Sequence, residues 1–326
     1  MLKDSFGRVH DYLRISLTDQ CNFRCLYCMP NEQMDFLPSS ELMSADEVVK
    51  LAEIFVSQGI SKIRLTGGEP LIRKDIGDII EQLSKLPVEL TLTTNGVLLD
   101  KYLDQLLAAG IRSVNISLDT LNAVNFKQLT QRNSFDKVWS NILLMLQNGF
   151  HVKVNVVVMR GKNQHEISEF VALTQSMPLH VRFIEFMPFT GNAWEHEQVY
   201  THQEILADVG ERFSINKLQD FKHDTAKKYQ VEGYMGTFAV ISTMSEPFCE
   251  DCNRLRLTAD GQIKNCLFSA DETNLLASLR KGKDVLPVIR HTVMQKKARQ
   301  GGQFASSYEE TLAENITNRS MIKIGG

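Results

Sequence analysis

The first 190 residues alternate short β-branched runs with amphipathic helical stretches, and this rhythm limits the fold more than any other feature of the chain. Strand patterns fall at 12–17, 62–66, 89–93, 113–118, 151–158 and 180–186. The first intervening helix opens at Ser44 with Glu47 three residues on, the spacing of a capping box. Gly59, Gly110 and Gly149 each stand between a helical stretch and the apolar residue that starts the next strand, where a helix C-cap belongs. Six strands alternating with helices imply a parallel sheet with right-handed crossovers. Such a sheet is either open and doubly wound or curled into a barrel.

Side-chain alternation separates the two. In "LRISL" Leu13, Ile15 and Leu17 share one face, while Arg14 and Ser16 share the other. Arg64 and Thr66, Thr91 and Thr93, Asn115, Ser117 and Asp119, and Lys153 and Asn155 repeat this polar face in later strands. Strands covered by helices on both faces read as continuous apolar runs. One apolar and one polar face suit an incomplete (βα)6 barrel with a wet lumen. From about residue 188 the rhythm stops. The chain therefore divides into a partial barrel over 1–187 and a smaller α+β domain over 188–326. In the latter, "CNRLRLTADGQIKNC" reads as a hairpin turning at Asp260-Gly261, which returns Cys266 to the neighbourhood of Cys249 and Cys252.

All six cysteines fall in two groups of three: Cys21, Cys25 and Cys28 directly after the first strand, and Cys249, Cys252 and Cys266 in the hairpin region. No apolar signal segment or membrane-length run is present, so the chain is expected in the cytoplasm, where thiols stay reduced and structural disulfides are disfavoured. Iron–sulfur clusters normally take four cysteines, so three leave one iron open to a small molecule. A zinc site remains the alternative, completed by His10 at the first trio and by His223 or His291 at the second. The loop after a barrel strand is where active sites of such folds assemble.

A net charge of −3 gives no general attraction to nucleic acid, and the basic 280–299 stretch reads as a solvated helix face. Arg14, Arg64, Lys153 and Arg182 lie mid-strand on the lumen side, and Arg254 and Arg256 alternate with Leu255 and Leu257 in the hairpin. Buried cations cost several kcal/mol each when unpaired. They need Asp119 or Glu185 as partners, a path to snorkel outward, or an anion, and a triphosphate suits bidentate arginines. No Walker-type loop is present to hold it instead.

"CNFRCLYC" followed by "TGGEP" at the end of the second strand resembles the radical S-adenosylmethionine (SAM) superfamily. The similarity extends through "LTTNG", "NISLDTL", "VKVNVVV", "RFIEFMP", "FCEDCNRLRLTADGQIKNCLF" and the terminal "IGG" to the GTP 3′,8-cyclase family, which opens molybdenum cofactor biosynthesis. The resemblance implies two [4Fe-4S] clusters, one per cysteine trio. It implies that Tyr27, Gly68, Ser117 and Met187 contact SAM, with the small Gly67 and Gly68 allowing close backbone approach and Pro70 opening the next helical turn. It implies GTP contacts from Arg14, Arg64, Thr93, Lys153, Arg182, Arg254, Leu255 and Arg256, and a Gly325-Gly326 tail threading back toward the site. Gln20 departs from the family pattern, which usually has Arg before the first cysteine.

The implied reaction begins with reductive cleavage of SAM. A 5′-deoxyadenosyl radical then removes hydrogen from C3′ of GTP, and the C3′ radical closes onto C8 of guanine. No protein acid or base is assigned. A low-potential donor of the flavodoxin or ferredoxin kind and a downstream cyclic pyranopterin monophosphate synthase are the implied partners, with the chain a monomer or homodimer. A peptide-modifying radical SAM enzyme with an auxiliary cluster, and a non-catalytic iron–sulfur electron-transfer protein, are the competing readings.

Overall fold

The computed structural model describes residues 1–29, 35–304 and 307–325. Its main sheet has twelve strands: β1 (Tyr12–Ser16), β2 (Lys62–Thr66), β3 (Glu89–Thr94), β4 (Ser113–Ser117), β5 (His151–Val158), β6 (His180–Glu185), β7 (Ile215–Lys217), β8 (Lys227–Val231), β9 (Thr237–Ile241), β10 (Arg254–Leu257), β11 (Gln262–Lys264) and β12 (Thr273–Asn274). The spatial order is β12-β11-β10-β1-β2-β3-β4-β5-β6-β9-β8-β7. All six expected strands are present, displaced by no more than a residue at their ends.

Helices α1 (Ala45–Ser57), α2 (Ile76–Ser84), α3 (Leu99–Ala108), α4 (Ala123–Thr130), α5 (Phe135–Gln147) and α6 (Ile167–Leu173) fill the crossovers. Ser44 and Glu47 form the capping box at the start of α1, which buries Val48, Leu51, Ala52 and Phe55 against the sheet. Gly59, Gly110 and Gly149 take φ of +100°, +70° and +73°, the left-handed turn that ends a helix. The apolar strand faces, including Leu13, Ile15, Ile63, Leu65, Leu92, Val114, Ile116, Val152 and Val154, join one core with these helices. The opposite face is the lumen.

The partial barrel is broader than six strands. β10 pairs in parallel with β1, and β9 pairs in parallel with β6, so eight parallel strands run side by side. Residues beyond 188 thus extend both edges of the sheet. The expected hairpin is β10–β11, with Arg256 opposite Lys264. The remaining helices are α7 (His202–Gly210), α8 (Leu275–Arg280), α9 (Leu286–Met294) and α10 (Met321–Ile324). The 280–299 stretch is not a uniform solvated face: Arg280 holds Glu47 at 2.7 Å on the surface, but Lys296, past the end of α9, is 3% exposed.

Candidate active site

The loop after β1 carries the first cysteine trio and is pinned at several points. Leu17 N donates to Thr66 O at 3.0 Å, Arg24 N to Thr130 O at 2.9 Å and Leu26 N to Leu129 O at 3.0 Å. Phe23 packs edge-on against Phe126 of α4, 5.6 Å between ring centres. The turn after β2 is fitted to this loop, because Gly68 N donates to Thr18 O at 2.7 Å and Glu69 N to Gln20 O at 2.8 Å. A Cβ on Gly68 would stand 2.3 Å from Gln20 O, and one on Gly67 would stand 2.7 Å from Thr18 O. The glycines therefore admit the backbone of the cysteine loop, and they also line the cavity that this loop faces. Gln20 contributes this carbonyl while its side chain is exposed.

Cys21, Cys25 and Cys28 face one cavity of about 180 Å3, lined also by Tyr27, Gly67, Gly68, Ser117 and Met187. Burial pushes the Cys21 thiol up to about 11. Burial followed by mutual repulsion raises Cys25 and Cys28 further. Three such thiols give up their protons only to a cationic centre, which fits a metal cluster. Tyr27 Oη donates to Asp119 at 2.6 Å, and Asp119, raised to about 6 by burial, also accepts from Val157 N at 2.8 Å. Glu69 is buried and raised to about 7 by desolvation. It accepts from Thr94 Oγ1 at 2.8 Å and Asn95 N at 2.7 Å, tying the ends of β2 and β3 together.

Cys249, Cys252 and Cys266 face a second cavity of about 170 Å3. Thr93, Asn155, Ile184, Met187 and Met321 line both cavities, so the two trios look into adjoining chambers of one lumen. Burial would raise Cys252, but Arg254 and Lys296 outweigh it and bring the thiol down to about 6. All six cysteines are free. Among the described residues no three His, Cys, Asp or Glu side chains are grouped to hold a single metal ion. The proposed zinc ligands are engaged elsewhere: His10 Nε2 with Asp4 at 3.0 Å and His223 Nδ1 with Asp251 O at 2.7 Å. His291 is exposed on α9.

Four of the six cations expected in the lumen gather around one chamber. Arg14, Arg182, Arg254 and Arg256 line the second chamber with Thr93. Arg256, Arg14 and Arg64 occupy paired positions on the adjacent strands β10, β1 and β2. Like charges set side by side on a sheet repel. Burial, then neighbouring arginines, lowers Arg14 and brings Arg182 down to about 9. Arg14 Nε is buried with no partner. The two carboxylates that could have neutralised this set are committed: Asp119 to Tyr27 and Val157, Glu185 to Met244 N at 2.7 Å and His202 N at 3.0 Å. Arg64 and Lys153 line neither chamber. Arg64 bonds Tyr12 and, at 3.4 Å, Thr93 Oγ1, while Lys153 bonds Ser113 Oγ at 3.1 Å. Leu255 is wholly buried in the core, leaving only its backbone to meet a ligand.

The tail comes back as the resemblance implies for Gly325. It is buried, takes φ of +84° and receives a hydrogen bond from Arg256 on its carbonyl. A Cβ there would meet Thr66 Oγ1 at 2.5 Å and Ser16 Cβ at 2.9 Å, on the lumen face of β1 and β2. Gly326 lies outside the described residues. The sequence reading missed Tyr12. It shares Arg14's face, and although burial would raise its phenol, Arg14, Arg64 and Lys62 bring it down to about 7. Period-2 alternation placed Tyr12 in the lumen, so the signal was available. Asn155, which bonds Arg182 Nε at 2.9 Å, was likewise legible by face.

A parallel half-barrel with C-x3-C-x2-C after its first strand and a Gly-Gly-Glu-Pro turn after its second defines a radical SAM protein. Residues 15–174 match the radical SAM superfamily, and residues 179–302 match Molybdenum Cofactor Synthesis C. Within that superfamily the chain belongs to the GTP 3′,8-cyclase family. It is 47% identical to the mitochondrial GTP 3′,8-cyclase of Arabidopsis thaliana, over 100% of this chain and 84% of the relative. It is 38% identical to the GTP 3′,8-cyclase of Listeria welshimeri, over 100% and 99%. Molybdenum cofactor biosynthesis protein 1 of Homo sapiens is 45% identical, and there the chain spans 99% of its own length but 51% of the relative. The solved structure of Streptococcus suis SuiB aligns with a TM-score of 0.65 at 15% identity, over 91% of this chain and 68% of that one, a likeness of fold alone.

Proposed function

We propose that this protein is a GTP 3′,8-cyclase, a radical SAM lyase that converts GTP to (8S)-3′,8-cyclo-7,8-dihydroguanosine 5′-triphosphate. The observation that carries the substrate is the row of guanidiniums on adjacent strands, Arg256, Arg14 and Arg64, with no carboxylate partner among the described residues, of which Arg14 and Arg256 line the chamber of the second cysteine trio.

In this reading Cys21, Cys25 and Cys28 hold one [4Fe-4S] cluster, and Cys249, Cys252 and Cys266 hold a second. When bound and reduced, the first cluster with SAM supplies the radical that abstracts hydrogen. The chain's own residues hold and shield. Tyr27, Gly68, Ser117 and Met187 wall the SAM chamber, and the Tyr27–Asp119 hydrogen bond fixes the ring between two ligand cysteines. Arg14, Arg182, Arg254 and Arg256 grip the triphosphate with Thr93, and Arg64, Lys153 and the Leu255 backbone assist from deeper in the lumen. Fixed groups of this kind position reactants and exclude water, and no side chain needs to move a proton. Residues 1–187 form the radical SAM partial barrel, which also carries Arg14, Arg64, Thr93, Lys153 and Arg182, and residues 188–326 form the domain that brings the second cysteine trio, Arg254, Leu255 and Arg256 to GTP and ends in the Gly-Gly tail.

An electron donor of flavodoxin or ferredoxin type and a synthase that consumes the product complete the reading. Among the described residues no helix is long and apolar enough to cross a membrane, and we assign the protein to the cytoplasm. The test is anaerobic reconstitution followed by reduction with SAM and either GTP or candidate peptides. About eight irons per chain and GTP-dependent 5′-deoxyadenosine support the proposal. Peptide turnover without GTP, or no 5′-deoxyadenosine at all, overturns it.

A further inference from the structure

Lys296 is a buried cation outside the residues already assigned. It is 3% exposed, and among the described residues its ammonium meets a thiol and two carbonyls rather than a carboxylate. Its ammonium instead bonds Cys252 Sγ at 3.4 Å, Arg254 O at 2.9 Å and Asn265 O at 2.5 Å. These acceptors flank the second trio from both arms of the β10–β11 hairpin: Arg254 follows Cys252, and Asn265 precedes Cys266. The same wall is tied to the amino-terminal segment, where Arg8 donates to Cys249 O at 2.8 Å and to Lys297 O at 2.9 Å. Gln300 N donates to Cys249 Sγ at 3.4 Å. At the first trio Cys21 Sγ takes neutral donors, Phe23 N at 3.4 Å and Asn95 Nδ2 at 3.9 Å.

We propose that Lys296 is a positioning residue for the second iron–sulfur centre, stapling the two cysteine-bearing arms together and raising that centre's reduction potential through its bond to Cys252 Sγ. The inference rests on the second cluster proposed above. A ligand sulfur gains negative charge when the cluster is reduced, and a cationic donor on that sulfur stabilises the reduced form. A buried ammonium with all three donors on cluster-side acceptors has no other role in sight. The two carbonyls fix its place, and the sulfur receives its charge.

The experiment is an EPR-monitored redox titration of fully reconstituted protein, with the first centre marked by its response to added SAM. In Lys296→Met the second centre falls in potential by at least ~59 mV, a tenfold change in its reduced-to-oxidised ratio for one electron. The SAM-responsive centre stays put, and Lys296→Arg recovers most of the shift. An unmoved second centre in a Lys296→Met protein that carries both clusters overturns the inference, as does an equal shift of both. If Lys296→Met fails to retain the second centre, wild type labelled with 15N-lysine carries the test. A nitrogen hyperfine coupling on the reduced second centre is expected, and its absence overturns the inference. A wild-type count of about four irons would instead remove the second cluster itself, a failure of the underlying reading that the iron analysis identifies separately.

Discussion

Lys153 is pushed down to about 8 by burial and then by Arg182, Arg64 and Lys62. Since its ordinary value is 10.5, the folded protein bears the full cost of this buried charge below about pH 8 and sheds it as pH rises toward 10.5. A triphosphate supplies the missing partner, so above about pH 8 binding draws a proton onto Lys153. KM for GTP should therefore rise above that pH, by up to about tenfold per unit for one proton, and Lys153→Arg should move the rise upward. A KM flat across that range contradicts the assignment. Arg14 offers a test with two opposite signs. Arg14→Met removes a guanidinium that repels Arg64 and Arg254 and has no carboxylate partner among the described residues, so the substrate-free protein should melt at a higher temperature. The same change removes a charge-assisted contact of about 1.5–3 kcal/mol and should weaken GTP roughly 10- to 100-fold. A variant that melts lower and binds GTP normally would show Arg14 to be structural.

At the scale of elements, the β1 loop and the β2 turn are one fitted unit. A Cβ at Gly68 would sit 2.3 Å from Gln20 O, and overpacking of this kind costs about 1–3 kcal/mol. Gly68→Ala should loosen the cysteine loop, so that iron per reconstituted chain falls toward half while the second centre remains; full iron content would contradict this. The six barrel strands and their lumen faces were legible because alternation in "LRISL" or "VKVNVVV" is local. The hairpin at Asp260-Gly261 was legible from its turn residues. The pairing of β9 and β10 onto opposite edges of the barrel was not, because a partnership with a strand distant in the chain leaves no mark in either strand. Lys296 was lost in a basic run that reads as solvent-facing, and only the fold brings it beside Cys252. The fit of Gly67 and Gly68 to the cysteine loop was hidden for a related reason: the sequence shows that a side chain is missing, and only the fold shows that the Thr18 and Gln20 carbonyls stand in its place.

At the scale of the whole molecule, segments from the second half of the chain extend both edges of the first half's sheet. β10 covers the β1 edge, β9 covers the β6 edge, and Gly325 lies against the lumen face of β1 and β2. Alanine at Gly325 must take φ of +84° and meet Thr66 and Ser16, a strain of roughly 1–3 kcal/mol. Gly325→Ala should keep both iron centres and lose about tenfold or more in turnover with GTP. Unchanged turnover would mean that the tail merely rests in the lumen. The central claim, that the chambers bring a SAM-derived radical to the ribose of GTP, is tested most directly with GTP deuterated at C3′. One turnover by the reduced, reconstituted enzyme should place that deuterium in 5′-deoxyadenosine, read by mass spectrometry. Formation of 5′-deoxyadenosine without the label would contradict the account.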